Sequence, residues 1–132
     1  VASCLAEGDL VARILLGDDE EIVLRLFETV LELDHHVVTT ASNGNGALRA
    51  IAEATFDLVI TDLVMPDKEG IETIIEMRHL RPELPIIAMS GGGRGNATDY
   101  LDMAAQLGAK KTLAKPFSTQ ALLDAVHEVL GT

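Results

Sequence analysis

The chain has 132 residues, 48% of them apolar and 23% charged, enough to bury one core and too apolar to remain disordered. Its formal charge of −11, from 21 acidic against 10 basic residues, argues against a phosphate backbone or an anionic membrane as direct partner. Cys4 is the only cysteine, which excludes an internal disulfide and a cysteine-rich metal site, and no stretch has the length of a membrane span or the make-up of a signal peptide, so the expected setting is the cytoplasm.

Residues 1–10 lack clear periodicity and read as an extension or linker before a single domain over 11–130. Val11 to Leu16 is predicted to be the first strand, followed by a helix with Ile22, Val23, Leu26, Phe27, Val30 and Leu31 at helical spacing. His36 to Thr40, rich in β-branched residues, reads as strand two, and a short helix is expected from Ala47 to about Ala54 after the turn Asn43-Gly44-Asn45-Gly46. His35 and His36 would then point to opposite faces as surface histidines, suited neither to joint metal binding nor to catalysis. Asp57 to Thr61 is strand three, and the next helix carries Ile71, Ile74, Ile75 and Met77 until Pro82 and Pro85 close it. Strand four, Ile86 to Met89, leads into the glycine-rich run from Gly91 to Gly95 and a helix from about Thr98 to Leu107, ended by Gly108. Strand five, Lys111 to Ala114, precedes a last helix capped by Ser118. Five alternating strand and helix units mean an α/β fold with a parallel sheet.

In such sheets ligands bind outside the carboxyl ends of the strands. Four strand ends here carry polar groups: Asp18 and Asp19, Asp62, Ser90 and Lys115. Each has an ordinary reading as well. The run Asp18-Asp19-Glu20-Glu21 is compatible with capping the first helix, Asp62 and Ser90 with turns, and Lys115 with a lysine that snorkels to water. The run Gly44-Asn45-Gly46 is a poor dinucleotide fingerprint, because Arg49 stands where the third glycine belongs, and the later glycines lack the ending of a nucleotide-binding P-loop.

Taken together, Asp18-Asp19, Asp62 with Met65-Pro66 and Gly70, Ser90, and Lys115-Pro116-Phe117 resemble the receiver domain of two-component response regulators over about residues 11–130. The resemblance implies a flavodoxin-like (βα)5 three-layer sandwich with the family's strand order, 2-1-3-4-5. It implies that Asp62 is phosphorylated by a histidine kinase or histidine phosphotransfer protein, and that Lys115 and Ser90 stabilise the phosphoryl oxygens. Asp18, Asp19, Asp62 and the backbone carbonyl of Val64 would hold Mg²⁺. Neighbouring strands one and three would bring three carboxylates together, and one such pair ~4 Å apart costs roughly 4 kcal/mol at an effective dielectric near 20. A divalent ion offsets that repulsion.

The expected role is a phosphoacceptor that switches an output domain or effector, catalysing only its own modification, with no direct nucleic-acid or membrane contact and with homodimerisation as a family habit. The alternative is a receiver-like interaction domain regulated without phosphorylation. Its basis is Thr112, which stands where receivers usually have an aromatic ring three residues before the lysine. The glycine loop beginning at Gly91 is then expected to carry much of the switch, and Pro116 to follow a cis bond, as in the family. A hydrolase of haloacid-dehalogenase type would need a second aspartate where Val64 stands. Val64 and Gly92 offer no side-chain hydrogen bond to an attacking water, so slow loss of phosphate is expected. A Val64→Asn variant that loses phosphate no faster than the parent would refute this.

Overall fold

The computed structural model describes residues 12–63, 70–90, 102, 104–115 and 117–131. Strands β1 (Arg13–Gly17), β2 (Val37–Ala41), β3 (Leu58–Asp62), β4 (Ile86–Ser90) and β5 (Lys111–Ala114) form one parallel sheet in the order β2-β1-β3-β4-β5. Helices α1 (Glu21–Leu33), α2 (Gly44–Glu53), α3 (Gly70–Leu80) and α5 (Thr119–Leu130) follow the expected alternation, with α4 helical at residues 102 and 104–106 and the rest of its expected span from about Thr98 outside the described residues. The fold is the expected flavodoxin-like one.

Alternation along the strands divides the core between two faces. Ile14, Leu16, Leu58, Ile60, Ile87 and Met89 pack under α1 and α5, against Leu24, Phe27, Leu31, Leu122 and Val126. Leu15, Val59, Ile86 and Ala88 face the other way, onto Ala47 and Ile51 of α2, Ile74 and Met77 of α3, and Ala104 of α4. Central β3 and β4 are buried at every residue, whereas edge strands β2 and β5 are half open. That is why the central strands read as unbroken apolar runs and the edges do not.

Several boundaries differ from the sequence expectation. β1 and β2 each begin after their predicted starts and extend one residue further, to Gly17 and Ala41. β3 and β4 take in Asp62 and Ser90, because ladder pairing continues to the polar residue. α2 begins at Gly44, three residues early, since Asn43 Oδ1 accepts the Gly46 N–H at 2.7 Å and makes the glycines a first turn. Ser118 caps α5 as expected, its Oγ accepting the Ala121 N–H at 3.0 Å. Gly108 has φ +108°, the left-handed stop expected after α4. His36 corrects the surface-histidine expectation: it is buried and precedes β2, while His35 is exposed.

Among the described residues no helix is long and apolar enough to cross a membrane.

Candidate functional site

Register in the sheet assembles the site. Gly17 pairs with Thr61, so Asp18, just beyond β1, and Asp62, the last residue of β3, come to the same level. Met89 pairs with Asp62 and Ala114 with Ser90, which brings Ser90 and Lys115 to that level on the neighbouring strands. The Lys115 N–H donates to the Ser90 carbonyl at 2.7 Å, fixing the turn from which its side chain starts.

Lys115 Nζ donates to Asp18 Oδ2 at 2.8 Å and to Asp62 Oδ2 at 2.7 Å. Both carboxylates are buried, Asp18 completely, and the lysine side chain is only 16% exposed. Burial by itself would lower the Lys115 pKa, but the hydrogen bonds and charges of Asp18 and Asp62 outweigh it and hold the ammonium above its usual 10.5. The lysine is therefore a fixed cation and not a proton donor at neutral pH.

Asp18 serves two elements. Its Oδ1 accepts the Glu20 N–H at 2.9 Å at the start of α1, while its other oxygen faces Lys115. Helix capping is thus not the main role of the acidic run, since Glu20 occupies the cap position without a side-chain capping bond. Glu20 itself lies 3.8 Å from Lys115, a member of the site whose place in the acidic run suggests only helix-start charge. Its adjacency to Asp18-Asp19 was the available signal. The site's floor is tied to α1 by Phe117, two residues beyond Lys115, whose ring stacks on Phe27 with centroids 5.3 Å apart.

Asp18, Asp19 and Asp62 each offer an oxygen within 4.8 Å of the others, with Asp19 exposed to solvent. One lysine cannot neutralise three carboxylates, so the residues present fit a hard divalent cation with water in part of its shell. Ser90 is 1% exposed, and its Oγ is, among the described residues, the one buried side-chain polar atom without a hydrogen-bond partner. A buried hydroxyl left so costs about 1–3 kcal/mol, a penalty that a ligand oxygen would remove. Thr112 is half-buried on β5, paired with Ala88. Val64, Gly91 and Pro116 lie outside the described residues.

A five-stranded parallel α/β sheet with an acid cluster and a bridging lysine at its carboxyl edge defines a receiver-type signalling domain. The family profile of the response regulator receiver domain matches residues 14–127, and the chain belongs to that family, a part of two-component signalling. It is 31% identical over 121 residues to the chemotaxis protein CheY of Halobacterium salinarum, covering 92% of this chain and 98% of that protein. It is 35% identical over 121 residues to the DNA-binding transcriptional regulator NtrC of Azospirillum brasilense, covering 92% of this chain but 24% of the regulator. A receiver domain from Clostridium thermocellum superposes with a TM-score of 0.84 at 32% identity, over 92% of this chain and 95% of that one. The chain thus spans about a quarter of the NtrC relative, and 51% of the CpxR homologue of Haemophilus influenzae, to which it is 34% identical over 91% of its own length.

Proposed function

We propose that the chain accepts a phosphoryl group on Asp62 from the phosphohistidine of a histidine kinase or histidine phosphotransfer protein, with Mg²⁺ held by Asp18, Asp19 and Asp62. The observation that carries this reading is the Lys115 ammonium bonded to both Asp18 and Asp62 beside the unsatisfied Ser90 hydroxyl. An Asp62 carboxylate oxygen attacks phosphorus, the P–N bond breaks, and the imidazole leaves with the electron pair. Lys115 takes one equatorial oxygen and Ser90 Oγ donates to another, each placed before the charge develops. The cation would supply the remaining positive charge when bound.

The protein catalyses only its own phosphorylation and its loss. The modified domain switches an attached output domain or a separate effector, with homodimerisation as one means, in a cytoplasmic setting. An interaction domain regulated without phosphorylation is the second reading, favoured by Thr112, which puts no aromatic ring on β5 beside the site.

Incubation with acetyl phosphate, with and without Mg²⁺, tests the reading: a Mg²⁺-dependent gain of one phosphoryl mass mapped to Asp62 is expected. Failure to gain it, with beryllofluoride also without effect on the spectrum of the protein, leaves the second reading. Ser90→Ala separates chemistry from folding. Because Oγ is buried with no partner among the described residues, its removal should raise stability in urea unfolding by about 1–3 kcal/mol, while the rate of phosphorylation falls by about 10²-fold.

A further inference from the structure

At the end of the sheet opposite the acid pocket, α1 closes in a turn set by two backbone bonds. The His36 N–H donates to the Leu31 carbonyl at 3.1 Å and the His35 N–H to the Glu32 carbonyl at 3.0 Å. His35 adopts a left-handed φ of 72°, where glycine is usual, and the chain turns inward at His36. The His36 side chain is 1% exposed. Its Nδ1 lies 3.1 Å from the Ala12 amide nitrogen at the lead-in to β1, and its Nε2 lies 3.0 Å from Asp34 Oδ2. The same Asp34 oxygen lies 2.7 Å from His127 Nε2 on α5.

Two histidines and a carboxylate converging on one point form a possible donor set for a transition metal. The Ala12 amide decides otherwise. A backbone N–H only donates, so the Nδ1 that faces it presents its lone pair, and the neutral ring keeps its single proton on Nε2. That proton is directed at Asp34. A metal on Nε2 would have to displace it and leave an imidazolate, whereas a metal-bound imidazole ordinarily keeps the proton on its other nitrogen.

We propose that Asp34, His36 and His127 form a proton-sensitive clamp at the base of β1 and β2, closed while His36 is neutral and opened by a second proton on its Nδ1. That proton comes from solvent and turns the acceptor into a donor facing the Ala12 N–H, two donors with no acceptor between them. The groups facing the ring are Asp34 at the end of α1, His35 in the turn, His127 on α5 and the Ala12 amide. Burial, the largest influence, holds the His36 pKa below its usual 6.5; Asp34 raises it without overcoming this, and His127 and His35 lower it further. Burial also acts to raise the Asp34 pKa, but hydrogen bonds and charge from His127 and His36 bring it below 3.8, so Asp34 stays ionised while His36 titrates.

With the folded-state pKa of His36 below the unfolded one, the clamp's contribution is complete above about pH 6.5 and is lost as the pH falls through the folded value. The His127–Asp34 bond at 2.7 Å does not involve the Nδ1 of His36, so the opening is confined to the lead-ins of β1 and β2. β1 carries Asp18 just beyond its other end.

¹⁵N NMR of the whole chain from pH 7.5 to 5 tests the clamp. Expected are the Nε2–H tautomer of His36 at pH 7.5 and an Ala12 amide whose protection, corrected for intrinsic exchange, falls about tenfold per pH unit below about pH 6.5 until closed His36 itself titrates, one proton being taken up on opening. His36→Gln keeps a donor for Asp34 and removes the titration, so the corrected protection should become flat with pH. Asp34→Asn removes the one influence that raises the His36 pKa and should move the opening to lower pH. An Nδ1–H tautomer, an equal pH dependence in His36→Gln, or an unmoved midpoint in Asp34→Asn overturns the clamp. Equimolar Zn²⁺ at pH 7.5 should leave the His36 and His127 resonances in place; joint movement of both would establish the metal site instead.

Discussion

Asp62→Asn should abolish phosphoryl uptake while leaving the metal-free protein folded and about 1 kcal/mol more stable, the small difference between larger opposing Coulomb terms. The carboxamide nearly matches the carboxylate in shape but is no nucleophile, so Mg²⁺ with acetyl phosphate should add no mass to the variant. The stability gain has a separate cause. The substitution removes the repulsion of Asp62 by Asp18 and Asp19 and forfeits the attraction to Lys115, which keeps Asp18 at 2.8 Å. At an effective dielectric near 20, two repulsions of roughly 3.5 kcal/mol each across about 4.8 Å slightly exceed one attraction of roughly 6 kcal/mol at 2.7 Å. Mg²⁺ should raise the melting temperature of the parent, which has three carboxylates to offer it, by more than that of the variant. Retained phosphorylation in Asp62→Asn would move the acceptor elsewhere; a loss of several kcal/mol would show that the Lys115–Asp62 bond outweighs the crowding.

Lys115→Met should part three quantities that a merely structural lysine would move together. Removing the ammonium leaves Asp18 and Asp62 buried with no lysine between them, which costs roughly 3 kcal/mol in the metal-free protein, the lower end for a broken buried pair because the site keeps some access to water. Mg²⁺ should bind more tightly, since the ion no longer competes with a fixed cation for the same two carboxylates. Phosphorylation at saturating Mg²⁺ should nevertheless fall by about 10²–10³-fold, because one preorganised partner of the phosphoryl oxygens is gone. Calorimetric Mg²⁺ titration, urea unfolding and the rate of acetyl-phosphate labelling read the three separately. Weaker Mg²⁺ binding in the variant would mean that Lys115 orients the carboxylates more than it competes for them.

Much of the fold was legible because its signals are local. Leu58 to Ile60 and Ile86 to Met89 are unbroken apolar runs since the strands they form are covered on both faces. The polar residues after them were equally visible, and their recurrence at four strand ends marked the rim before any partner could be assigned. What was misjudged depended on groups distant in the chain. His36 looked like a surface residue because nothing in its neighbourhood shows that the Ala12 amide, 24 positions earlier, needs an acceptor. The start of α2 differs for the opposite reason: Asn43-Gly44-Asn45-Gly46 reads as a turn, and only the Asn43 side chain accepting the Gly46 N–H makes it the first turn of the helix.

By itself the sequence determined the alternation of strands and helices, the residues that end each strand and the acidic character of the site, because periodicity, capping and charge act over a few residues. Only the tertiary structure decided that Lys115 is shared between Asp18, 97 positions away, and Asp62, 53 positions away, and that Ser90 Oγ has no hydrogen-bond partner among the described residues. Those facts follow from the parallel register of β1, β3, β4 and β5, where the long crossovers that join parallel strands bring distant residues to one edge.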